Sequence, residues 1–161
     1  MRQPSIRYLL FGSLLFLVVG LAVTVGIPAS EAPPASPLAV PYSEQELRGR
    51  AIYIREGCTY CHTQQVRAIE VDVGTVHSKG DIGPESLPGD YAYQQPALWG
   101  TARQGPDLAH VASRPPGNSR EWQFQHLVGP QLFNPGTLMP SFRHVPREEL
   151  EALVEYLMTL R

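Results

Sequence analysis

Cysteine is almost missing from this chain: its 161 residues hold two, Cys58 and Cys61. A scaffold held together by several disulfides is thereby excluded. Neither sign of charge dominates either. The chain has 13 basic and 15 acidic residues, a formal net charge of -2, and no long run of like charge. Nucleic acid needs a clustered basic surface, so no nucleic-acid partner is expected. Internal repeats are lacking too, which removes solenoid architectures.

What the N-terminus does contain is a long apolar run. Tyr8 to Ile27 carries no charge and is rich in Leu, Val and Phe. About twenty helical residues at ~1.5 Å each reach roughly 30 Å, the thickness of a bilayer's hydrocarbon core. Arg2 and Arg7 precede the run, and Glu31 follows it with no nearby Lys or Arg. The positive-inside rule therefore predicts a single pass across the bacterial cytoplasmic membrane, N-terminus in the cytoplasm and the remainder on the outer, periplasmic side. A cleaved signal peptide is the alternative, with Ala29-Ser30-Glu31-Ala32 as a small-residue processing site. Signal h-regions usually span only about 7–15 residues, and this run is longer. Either reading places the remaining chain outside the cytoplasm.

The expected division is an anchor over 1–28, a Pro-rich linker over 29–42 and one domain over 43–161. Pro28, Pro33, Pro34, Pro37 and Pro41 mark the linker as a semi-rigid extended spacer. Ser43 followed by Glu46 forms a capping box that starts a helix, with Leu47, Ala51 and Ile54 at helical spacing and Gly57 as its stop. Pro146 suits a first helical position, and Glu148 and Glu149 favour the positive end of the helix dipole. Leu150, Leu153, Val154, Leu157 and Met158 then make one apolar stripe. Between these two helices the chain reads mostly as loop, with short helical segments expected over 107–112 and 120–128. So much loop makes a poor apolar core unless a large buried cofactor supplies surface to pack on.

Cys58-Thr59-Tyr60-Cys61-His62 is the Cys-x-x-Cys-His signature of covalent c-type haem attachment. Two thiols at this spacing reach two vinyl groups of one porphyrin, and the next residue turns its imidazole under the iron. A redox dithiol is the alternative, but the strand-helix pattern around thioredoxin-like cysteines is missing. Zinc would need four ligands, and there is no second cysteine pair. The iron's other axial position calls for Met or His. Met139, in the loop Gly136-Thr137-Leu138-Met139-Pro140, is the candidate, its proline fixing the backbone direction. Met158 reads as core, and His77, His110, His126 and His144 read as polar surface residues. Thioether ligation closes the iron to substrate and raises its potential, which suits electron transfer.

These segments resemble a class I cytochrome c: a capped helix with Gly49 and Tyr53, the attachment motif, Gly105-Pro106-Asp107-Leu108, a Met-Pro loop and a last helix with Tyr156. The resemblance implies an all-α fold with long loops wrapped around one covalent haem, preceded here by one transmembrane helix. It also implies that Gly49, Tyr53 and Tyr156 let the first and last helices cross closely, and that the Pro106 carbonyl takes the His62 imidazole N–H. More narrowly, Tyr53 to Cys58, Cys61 to Arg67, Leu98 to Leu108 and Glu121 to Leu127 are similar to the mono-haem subunit II of cbb3-type cytochrome c oxidases. The sequence departs from that family at Ala68-Ile69-Glu70, after Arg67, and over 72–90.

The closer likeness implies Trp99, Arg67 and Arg103 around the haem, the arginines pairing with its propionates. By the same likeness the chain is not an enzyme alone. It is an electron-transfer subunit, taking electrons from a redox donor protein and passing them to the catalytic membrane subunit of a terminal oxidase. The cytochrome subunit of a nitric oxide reductase and a membrane-tethered shuttle are the alternatives.

Overall fold

The structure, a computed structural model, describes residues 5–31, 33–67 and 83–161. Arg2, Ala32, Ala68-Ile69-Glu70, His77 and residues 72–82, on which parts of the sequence reading rest, lie outside them. Every regular element among the described residues is helical. The chain divides into two compact units, 1–34 and 35–161.

The first unit is helix α1, Ile6–Ser30, 25 residues long. Its apolar window has a mean hydropathy of 2.5 and none of it is buried, so length and composition suit a membrane span. A π-helical turn over Ala22–Gly26 precedes Pro28, and the Ile27 N–H reaches back to the Ala22 carbonyl. That widened turn lets the helix continue past a residue without an N–H.

In the second unit, α2 (Glu44–Arg55) begins with the expected capping box. Ser43 Oγ accepts from the Glu46 N–H at 3.3 Å, and the Ser43 N–H donates to Glu46 Oε2 at 2.6 Å. Gly57, at φ 73°, ends it by taking a left-handed conformation that costs glycine little. Helix α3 (Arg120–Val128) is capped by Ser119, the short α4 covers Pro130–Phe133, and α5 (Arg147–Leu157) closes the chain. Pro146 is the N-cap of α5, one residue outside the position expected for it.

Helices α2 and α5 cross in contact. A Cβ placed on Gly49 would lie 1.9 Å from the Ala152 carbonyl oxygen, so only glycine permits this approach. The Tyr53 and Tyr156 rings meet edge-on at 5.5 Å. Leu150, Leu153, Val154, Leu157 and Met158 are all buried, as the stripe predicts. On α2 the buried face is Gly49, Ile52 and Tyr53. The spaced apolar residues that marked the helix point elsewhere, Leu47 and Ile54 being 50% and 43% exposed. Backbone contact at a glycine chose the face.

Two further expectations change. The helix expected over 107–112 is only a 3-10 turn over Val111–Ser113, because the Leu108 N–H is drawn to the Thr63 carbonyl instead. The spacer expected over 29–42 differs at both ends. Helix α1 continues to Ser30, while Ser36 donates its N–H to the Gly89 carbonyl and Tyr42 meets Tyr156 at 5.8 Å.

Candidate functional site

Helix α2 delivers the chain directly into the two-cysteine segment. Cys58–Tyr60 forms one 3-10 turn, and the His62 N–H bonds back to the Cys58 carbonyl at 2.9 Å. Cys58 and Cys61 are not joined to each other in a disulfide. Burial pushes the Cys58 thiol up to about 12. A redox dithiol relies on a lowered thiol pKa, and burial acts in the opposite direction at Cys58. Among the described residues no three His, Cys, Asp or Glu side chains gather as a metal-binding cluster, so the zinc alternative lacks a ligand set there.

The His62 ring is held from one side. Its Nδ1 lies 2.8 Å from the Pro106 carbonyl oxygen. A carbonyl can only accept, so Nδ1 carries the proton and Nε2 keeps the ring's lone pair. Burial lowers the His62 pKa, and the Pro106 bond and the Asp107 charge only partly oppose it. The imidazole is therefore held neutral, as an axial ligand must be. Gly105 makes room for the ring: a Cβ there would come within 2.3 Å of His62 Cε1. Gly100 does the same for the backbone, where a Cβ would stand 2.4 Å from the His62 carbonyl oxygen. These residues fit a haem bound through His62, with the ligand tautomer set and its ring cradled.

Met139 is half-buried against the same apolar core as Cys58, Leu108, Phe124 and Val128. Its loop is tied to α3 and α4. Gln131 Nε2 donates to the Met139 carbonyl at 3.0 Å, the Met139 N–H donates to Thr137 Oγ1 at 3.2 Å, and the Phe142 N–H reaches the Leu127 carbonyl at 2.9 Å. Met158, by contrast, sits in the core under α5.

The remaining candidates have the following surroundings. Arg103 is committed to protein groups: its Nε donates to Thr63 Oγ1 at 2.6 Å, and its Nη2 donates to the Gln65 carbonyl at 2.6 Å and pairs with Asp107 at 3.4 Å. Arg67 is exposed at the edge of the described residues. Trp99 is half-exposed, its ring edge-on to Tyr91 at 5.9 Å and its carbonyl accepting from the Gln64 N–H.

Among the described histidines, His144 is exposed and paired with Glu56 at 3.1 Å. His110 is buried with Nε2 3.1 Å from the Pro84 carbonyl. His126 is half-buried and stacks on Trp122 at 4.5 Å. Its pKa is lowered by burial. The turn of α3 carrying His126 follows from Trp122 at i−4, a spacing visible in the sequence.

Sequence reasoning missed Thr63, Gln64 and the full role of Asp107. All three are polar and buried. The signal was a run of polar residues directly after an attachment motif that begins on a helix end.

One cleft of this unit is lined by Tyr42, Gln64, Tyr91 and Thr159 among others and includes neither cysteine. Over residues 5–159 the chain matches the family described as cytochrome C oxidase, mono-heme subunit/FixO. No curated protein matches it.

Proposed function

Since the chain belongs to the cytochrome C oxidase mono-heme subunit/FixO family, and is thus a mono-haem cytochrome c subunit of a cbb3-type oxidase, we propose that it relays single electrons from a donor protein to the catalytic subunit. The haem would be held covalently by Cys58 and Cys61, with His62 and Met139 as its axial ligands. The observation that supports this reading is the His62–Pro106 bond at 2.8 Å, which assigns the proton to Nδ1 and suits Nε2 to ligation. When bound, the haem supplies a one-electron ferric–ferrous couple.

The chain's own residues then position and tune. His62 is oriented by Pro106 and seated on Gly105. Met139 comes from a loop whose backbone is tied down on both sides, so a thioether can be presented without a large ordering cost. Helix α1 anchors the subunit through Ser30. Arg7 in the first turn of α1 and Glu31 just after the helix favour a cytoplasmic N-terminus and a periplasmic haem domain over 35–161. A match to an oxidase subunit favours oxygen chemistry in the partner over nitric oxide reduction.

Purification from native membrane in mild detergent tests the proposal. The chain is expected to stain for haem on a denaturing gel and to travel with a large membrane subunit that consumes oxygen. Cys58→Ala with Cys61→Ala should abolish the stain, and a colourless wild-type protein would reject the reading. Met139→Ala should keep the stain but lower the reduction potential. An unchanged potential and absorption band in that variant would remove Met139 as ligand.

A further inference from the structure

The His62–Pro106 bond is bracketed on both sides by contacts between the same two strands of loop. Before it, the Gly105 N–H donates to the Cys61 carbonyl at 2.9 Å; after it, the Leu108 N–H donates to the Thr63 carbonyl at 2.8 Å. The residue following each partner is Thr63 on one side and Asp107 on the other. These two are hydrogen-bonded through their side chains, Thr63 Oγ1 donating to Asp107 Oδ2.

Asp107 is 2% exposed and fully occupied. Its Oδ2 also accepts from the Gln65 N–H at 3.0 Å and from Arg103 at 3.4 Å, and its Oδ1 accepts from the Ala109 N–H at 2.8 Å. Its backbone carbonyl accepts from Arg114 Nη2. Thr63 is a relay: its Oγ1 accepts from Arg103 Nε while its hydroxyl donates to the carboxylate. A buried carboxylate persists only where such donors and a cation compensate it. What this one joins is the pair of segments that carry the proximal ligand and that ligand's acceptor.

We propose that Asp107, acting through Thr63 and Arg103, is a positioning residue for His62: it clamps the 61–65 and 103–107 segments so that the imidazole N–H stays aimed at the Pro106 carbonyl, and thereby sets the reduction potential. This rests on His62 being the axial ligand. Arg103 accordingly serves the clamp, the role for which its position beside Asp107 and Thr63 suits it. A strong bond from Nδ1–H to a carbonyl makes an imidazole more electron-rich, which favours the ferric iron. Loosening the clamp weakens that bond and moves the couple toward ferrous.

The test uses the full haem-loaded chain in detergent. Thr63→Val removes the hydroxyl relay without changing charge or size, and Thr63→Ser restores the hydroxyl. Asp107→Asn removes the charge. Thr63→Val is expected to shift the ferric–ferrous equilibrium several-fold toward ferrous, tenfold being about 59 mV for one electron. It should also move the hyperfine-shifted ring protons of His62 in the ferric NMR spectrum. Thr63→Ser should restore both readouts, and Asp107→Asn should shift the potential further in the same direction. A Thr63→Val protein with lowered denaturation midpoint but unmoved potential and ring protons would reduce the cluster to a structural staple and overturn the proposal. That result is distinguishable from a failed haem assignment, in which the wild-type chain itself would carry no haem and both inferences would fall.

Discussion

The haem domain is built in two different ways on its two sides. Where α2 crosses α5, contact is apolar and intimate: a glycine lets two backbones touch, and tyrosine rings and leucines fill the flanks. Around His62 almost nothing regular exists, and position is set by named polar bonds from Pro106, Asp107, Thr63 and Arg103. The first side tolerates no added volume. The second tolerates little loss of a donor or acceptor, because buried Asp107 depends on the donors of Thr63, Gln65, Ala109 and Arg103. Stability is concentrated in the helix pair, and precision in the loops.

Gly49→Ala attacks the crossing and has the largest expected effect. Its methyl would meet the Ala152 carbonyl, the helices would part, and overpacking of this kind costs about 1–3 kcal/mol or more. Urea denaturation of the haem-loaded protein checks it, and a wild-type midpoint would show that the close approach is not kept in solution.

Gly105→Ala sharpens the comparison from the other side. The added methyl falls against the His62 ring, so the optical spectrum and potential should change while covalent haem is retained. Loss of stability there should be smaller than at Gly49, since a loop can yield where two packed helices cannot. A spectrum identical to wild type would break the claim that the ring rests on that glycine.

Glu56→Gln has the smallest effect, a loss of stability present at neutral pH that fades in acid. Burial alone would raise the Glu56 carboxyl, but hydrogen bonds from Arg55 and His144 outweigh it and leave the group below its ordinary value. A carboxylate depressed in the folded state stabilises fully above its unfolded pKa of roughly 4.3, and that stability is lost as pH falls through the folded value. The variant should therefore show a flatter acid limb in a plot of denaturation midpoint against pH. An unchanged limb would show that the Arg55–Glu56–His144 contacts do not persist in solution.

The two sides were also unequally legible in the sequence. Ser43, Glu46 and Gly57 announce α2 by local chemistry, and the stripe from Leu150 to Met158 announces α5 and its buried face. The membrane span and the Cys-x-x-Cys-His motif are likewise local signals. Which face of α2 is buried was not legible from apolar spacing, because contact was decided by Gly49 rather than by Leu47 or Ile54. Nor could Arg103 be assigned to Asp107 from spacing alone. Its partners Thr63 and Gln65 lie about forty residues away along the chain, and no periodicity encodes such a meeting. His126 and His110 looked like solvent-facing histidines for the same reason.

Val66 and Ser86 offer a last consequence. The Ser86 N–H donates to the Val66 carbonyl at 2.9 Å, and the Val66 N–H donates to Ser86 Oγ at 2.9 Å. The chain leaving the two-cysteine segment is thereby fastened through residue 66 to residue 86, whose near neighbour Pro84 meets His110 Nε2 at 3.1 Å. Val66 is fully buried, so loss of the Ser86 hydroxyl alone would strand its N–H without a partner, a cost of about 1–3 kcal/mol.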